Sequence, residues 1–198
     1  MATHLVPHAT STLSARQTYR IERPFWSWLG RKFHVFDMGG AYVAYVHHPV
    51  LRLRDEFIVY TDQSQTRPLA KIKARQIVAL QIVYDVTDPA TGAHLGSLRK
   101  RPLKSMLRDT WDILGPGDQP EGVVEETGYS ILRRIFPWLV GRWRIEHEGR
   151  EVGQIQQIFR FFIKEYVLDM NAVGERFDPR FGIACALLAL MAETRRES

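Results

Sequence analysis

The chain has 198 residues, 45% of them hydrophobic and 25% charged, which suits one domain with a sizeable core and excludes a disordered or fibrous protein. Lysine and arginine outnumber aspartate and glutamate by 27 to 22, and the net charge of +5 favours anionic partners without choosing among them. A single cysteine, Cys185, excludes a disulfide framework and a cysteine-based zinc site and suits a reducing, cytosolic setting.

Residues 1–18 read as a flexible tail, because Met1 to Gln17 is rich in Ser, Thr and Ala and lacks the basic start and apolar centre of a secretory signal. The rest, 19–198, reads as one domain, with no repeat or linker to divide it. Phe25-Trp26-Ser27-Trp28-Leu29, between Arg23 and Arg31-Lys32, has the alternation of core or end-cap packing, and its indoles beside cations also suit a membrane interface.

From there short runs rich in Val, Ile, Tyr and Phe, punctuated by Gly, Pro, Asp and Asn, predict an antiparallel sheet. Strands are expected at Arg31 to Asp37, Ala41 to His47, Asp55 to Tyr60, Leu69 to Lys73, Ala79 to Val86 and Leu95 to Arg99. Others are expected at Trp111 to Leu114, Gly122 to Glu126, Trp143 to Glu148, Glu151 to Phe159 and Phe161 to Asp169. Turns at Met38-Gly39-Gly40, Asp88 to Gly92 and Glu148-Gly149-Arg150 make neighbouring strands pair as a meander. Short helical turns are expected at Leu103 to Arg108 and Ser130 to Phe136, the second stopped by Pro137.

The last element is a helix. Asp178 suits its N-cap and Pro179 its first position, and Arg195 and Arg196 complement its dipole. Phe181 to Ala192 has no polar side chain, so no face of that stretch seeks water. Its rise of about 18 Å falls short of a bilayer and matches a strand's length. A sheet closed around it covers every side and removes exposed edges. The expected fold is therefore mainly β, a closed barrel of about twelve strands around a hydrophobic C-terminal helix, with no transmembrane span.

The run Tyr84-Asp85-Val86-Thr87-Asp88, followed by Thr91-Gly92, Leu95-Gly96, Arg99-Lys100, Lys104-Ser105, Arg108-Asp109 and Trp111, resembles the LURP-one-related family. The likeness continues through Arg133-Arg134, Gly153 with Gln157, and Phe177-Asp178-Pro179-Arg180. That family belongs, with the phospholipid scramblases, to the Tubby C-terminal-like superfamily. The resemblance implies a twelve-stranded barrel around a central helix. It does not carry an activity with it, because folds are shared across functions. Tubby domains bind phosphoinositides, and scramblases are linked to calcium-dependent lipid movement.

The densest functional chemistry is Arg99, Lys100, Arg101, Lys104 and Arg108, five cations without an acid between them and with Ser105 as a further donor. Such a run suits the phosphate of an anionic phospholipid or phosphoinositide, and equally a solvated edge that resists strand aggregation. Lys71, Lys73 and Arg75 recur at period two, which sets them on one strand face with Ile72 and Ala74 inward. That face is an ordinary solvent face or an accessory basic surface. Pro137-Trp138-Leu139 carries the same two readings as the first aromatic run.

Calcium is not expected at Asp169 to Arg180, because the fifth position is Val173 and the twelfth is Arg180 where a bidentate Glu is needed. His47 and His48 point to opposite strand faces and cannot readily chelate one ion. Asp85 and Asp88 read as turn residues, and Ser105 and Cys185 have no base visible in the sequence. No cofactor, metal, nucleic acid or enzyme activity is expected. The expected role is a non-enzymatic module that binds anionic headgroups or phosphorylated ligands, cytoplasmic and peripheral at the inner membrane surface. Scramblase-like lipid transport and a structural or regulatory domain with a protein partner are the alternatives.

Overall fold

The computed structural model describes residues 13, 17–24, 31–48, 56–78, 81–101, 109–127, 140–160, 163–172 and 177–196. Among them twelve strands form a closed antiparallel barrel in which sequence neighbours pair and the first strand closes on the last. The first six are β1 (Thr18–Pro24), β2 (Arg31–Asp37), β3 (Tyr42–His48), β4 (Glu56–Tyr60), β5 (Pro68–Val78) and β6 (Gln81–Thr87). The second six are β7 (His94–Lys100), β8 (Thr110–Leu114), β9 (Pro120–Thr127), β10 (Arg142–His147), β11 (Arg150–Ile158) and β12 (Ile163–Asp169). One helix, α1 (Pro179–Arg196), follows. The expected meander and barrel are both present.

β1 has no counterpart among the individually predicted strands. Its buried positions are Tyr19, Ile21 and Arg23, and a charged residue in the inward row breaks the apolar alternation by which strands are read. It takes Thr18 from the expected tail. β5 runs beyond its predicted end because a bulge between Ala74 and Gln76 absorbs Arg75, so pairing resumes where simple alternation stops. The predicted helical turns at 103–108 and 130–136 lie outside the described residues.

Turn chemistry fixes the hairpins. Glu148 and Gly149 both hold positive φ, 51° and 72°, the two-residue geometry whose twist matches the strands it joins. At 88–93 the Asp88 amide donates to the Ala93 carbonyl at 2.8 Å, and Gly92 returns a bond to the Asp88 carbonyl at 2.8 Å.

The inward rows of the strands and all of α1 from Phe181 to Glu193 are buried. Asp178 caps the helix, its Oδ1 accepting the Arg180 amide at 2.8 Å, and its carbonyl accepts the Gly182 amide at 3.1 Å. The first bond meets one of the donors a helix leaves open at its start, and the second is the first regular bond of the helix. Burial pushes the Cys185 thiol far up from its ordinary pKa, so it stays protonated and inert. The outer rows are polar: Arg20 pairs with Glu22, Lys71 with Glu56 and Arg144 with Glu125.

Candidate functional site

The barrel has two unlike rims. At the entry rim, where α1 begins, lie the turns at 38–41, 61–67, 88–93, 115–119 and 148–149. There Gly96 lies so close to Phe181 that a Cβ on it would come within 2.5 Å of the ring. At the far rim β1, β3, β5, β7, β9 and β11 end and the next strand of each pair begins, as the Lys100–Trp111 and Arg142–Thr127 pairings show.

The predicted basic segment starts at the far rim, and strand alternation splits it. Arg99 lies opposite Asp112 on the outer face and its Nη2 reaches the Asp112 carboxylate at 3.0 Å. Arg101 holds the same carboxylate, so two guanidinium groups share one acid. Lys100 lies on the alternate face, opposite Trp111. Its Nζ stands 3.8 Å from Asp109 and 5.4 Å from the centre of the Trp111 ring, within cation–π range. Asp109 is buried with Glu126, which receives its amide at 3.5 Å. Lys104, Ser105 and Arg108 lie outside the described residues, as do both aromatic runs, Phe25 to Leu29 and Pro137 to Leu139.

The accessory stripe forms as expected, with Ile72 fully buried on the opposite face. Its charges are matched, however. Glu56 takes Lys71 at 2.6 Å and Lys73 at 3.8 Å, while Arg75 joins Asp85 at 3.1 Å and Asp118 at 2.6 Å. Lys71 beside it holds the Glu56 carboxyl below the usual carboxylate range, and Arg75 does the same for Asp118. This is a neutralised outer ladder.

An open groove of about 560 Å³ occupies the entry rim, lined among others by Asp85, His94, Ser97, Asp118, Glu121 and His147 over Phe177 and Phe181. Ser97 is buried in its wall, its hydroxyl donating to Asp85 Oδ1 at 2.7 Å while His94 Nε2 lies 2.8 Å from the Ser97 Oγ. With its proton on Asp85, the hydroxyl receives the imidazole N–H. In that arrangement His94 does not act as base to Ser97. The constellation ties β6 to β7 rather than preparing a nucleophile. No group of three or more His, Cys, Asp or Glu placed to hold a metal occurs among the described residues.

Beside the groove Arg180 bridges two acids, reaching Asp88 at 2.7 Å and Asp178 at 2.8 Å. Arg180 and then the Ala90 amide hold the Asp88 carboxyl down to about 2. The motif residues that carried the family resemblance thus meet here: Asp88 from one hairpin, Asp178 and Arg180 from the helix start, and Gly96 under Phe181. Sequence reasoning placed Asp88 and Asp178 as turn and cap and missed their common partner. The groove was also missed, because Asp85, His94, Asp118, Glu121 and His147 come from separate strands and turns and share no spacing. No protein-family model, curated protein or solved structure matches the chain, and what either rim does rests on its own residues.

Proposed function

We propose that this barrel is a non-enzymatic binding module that takes a phosphate-bearing anionic headgroup, of a phospholipid or phosphoinositide, at a membrane surface through its far rim. The supporting observation is how charge is layered there. The Asp109 and Asp112 side chains are 2% exposed, whereas Arg99, Lys100 and Arg101 over them keep 26%, 27% and 35%. The cations are the solvent-facing groups, Arg99 and Arg101 over Asp112 on one face and Lys100 over Asp109 and Glu126 on the other, and Lys104, Ser105 and Arg108 extend the run in the sequence. Guanidinium forks and ammonium groups in that state offer charge-assisted bonds to phosphate.

Membership of the LURP-one-related family belongs to the same proposal, supported by the order of the quoted motifs and by a helix threaded through the barrel. In this reading the protein works in the cytoplasm, peripherally at the inner membrane surface. No helix among the described residues is long and apolar enough to cross a membrane. Lipid transport is the weaker reading, since α1 would have to leave a barrel that buries it on every side.

Vesicle co-sedimentation tests the proposal. Asp112 is buried under Arg99 and Arg101, so stripping those arginines would leave a buried charge unpaired and confuse binding with folding. The informative variant is Lys104→Glu with Arg108→Glu. Binding is expected to favour anionic over neutral vesicles, to weaken with salt, and to fall at least about tenfold in this variant, at about 1 kcal/mol per basic residue near the surface. Equal pelleting with neutral and anionic vesicles at low salt would refute it.

A further inference from the structure

Among the described residues four large hydrophobic side chains are exposed: Met38 at 67%, Phe159 at 53%, Ile163 at 41% and Val140 at 39%. Three of the four stand together at the far rim. Val140 precedes β10, Phe159 follows β11 and Ile163 opens β12. These strand ends are neighbours, since Gln157 donates its amide to the Gly141 carbonyl at 2.8 Å and Ile158 lies opposite Glu165. Isolated surface hydrophobics are ordinary, but a group at one end of a closed barrel is not scattered.

Cations surround this group. Arg142 and Arg160 are exposed and Lys164 is half-buried beside Ile163. Glu165, the acid on the same strand end, is covered and held by Arg160 at 3.3 Å. Apolar side chains fringed by arginine and lysine suit the boundary of an anionic bilayer, where the former enter the acyl edge and the latter meet headgroups.

The entry rim has the opposite character. Among the described residues five acids line its groove, Asp85, Asp118, Glu121, Glu148 and Asp178, against Arg75, which joins Asp85 and Asp118, and Arg180 beside it, which holds Asp178, so acids remain in excess. An anionic surface repels the excess acids of that end and meets the solvent-facing cations of the other, so charge favours one orientation of the barrel.

We infer that the far rim is a bilayer-docking face, in which Val140, Phe159 and Ile163 enter the interface of an anionic membrane while the acid-lined groove points into the aqueous phase. The inference rests on the headgroup reading above and adds the apolar contact and the orientation. A protein partner is the other occupant such a patch admits, and the cation fringe favours the lipid.

The buried thiol of Cys185 lets a single introduced cysteine carry an environment-sensitive fluorophore. Labels at Phe159→Cys and, on the opposite rim, Met38→Cys are mixed with vesicles of phosphatidylcholine containing phosphatidylserine. The label at 159 is expected to brighten several-fold, shift to the blue and be quenched by nitroxide lipids, while the label at 38 stays unchanged. Phe159→Ser with Ile163→Ser, at unaltered charge, is expected to weaken vesicle binding roughly tenfold or more and leave the binding of a soluble inositol polyphosphate unaltered. Vesicle binding with a silent label at 159, or with a responding label at 38, overturns the docking face and leaves the headgroup reading standing. Binding of the soluble polyphosphate without vesicle binding overturns the docking face and the membrane placement and leaves only phosphate recognition standing, and no binding of either probe overturns both.

Discussion

Gly96 fixes how closely α1 approaches β7. A methyl group there would overlap the Phe181 ring, which is buried and has little room to turn. Gly96→Ala is expected to destabilise the fold by about 1–3 kcal/mol, the usual cost of overpacking, read as a lower urea midpoint. A midpoint equal to that of the parent chain would mean the ring can move aside. Asp88 offers a second test. Its carboxyl is lowered from 3.8 to about 2, first by Arg180 and then by the Ala90 amide. A depressed folded pKa stabilises the fold above the unfolded value, and that contribution disappears as pH falls from about 4 to about 2. Asp88→Asn should therefore flatten the acid limb of thermal melts across that window and shift melting little below it. Superimposable acid limbs would show that the link does not stabilise. Asp88 was legible as a turn opener because Asp-Pro signals one locally. Its bond to Arg180, 92 positions away, has no local sign.

At the scale of elements, α1 is the part the sequence described best. A twelve-residue stretch without a polar side chain can be read directly, and its length chose a protein interior over a bilayer. Leu187 is fully buried in the middle of it. Leu187→Asp is expected to abolish cooperative folding, since an unpaired carboxylate there has no partner and core lesions of that kind exceed about 4–5 kcal/mol. A soluble variant melting as the parent does would contradict the helix's place in the core. The strands were legible wherever both rows kept their character, as in β2, whose predicted and observed bounds coincide. They were not where one row mixes types, as β1 does with Arg23, or where a bulge interrupts the count, as at Arg75. The basic segment shows the same limit from the other side. Five cations are plain in the sequence, but whether Asp109 and Asp112 lie beneath three of them depends on how β7 and β8 align.

For the molecule as a whole, the net charge of +5 conceals an uneven distribution. Among the described residues the outer wall carries matched ion pairs, the entry groove has more acids than arginines, and at the far rim Arg99, Lys100 and Arg101 are the solvent-facing groups, with exposed apolar side chains at the ends of β10, β11 and β12. Composition averages over that partition and so cannot show it. Surface pairs of the kind along the wall contribute little to stability, with a typical value of about 0–1 kcal/mol, so the fold depends on the inward rows and α1. The wall is then free to vary with little cost to folding, and the two ends can take up separate tasks.

The position of α1 also bears on how the protein is made. All twelve strands precede it, so during synthesis the chain that will become the barrel emerges before its filling does. Until residues beyond 178 have left the ribosome, twelve strands' worth of inward-facing apolar side chains have nothing to close upon. The hairpins are local, but the closing pair of β1 with β12 is non-local, slow to form, and leaves strand edges and apolar faces open to aggregation in the meantime. Production of this protein should consequently respond to holdase chaperones more than that of a barrel whose interior is filled by its own strands.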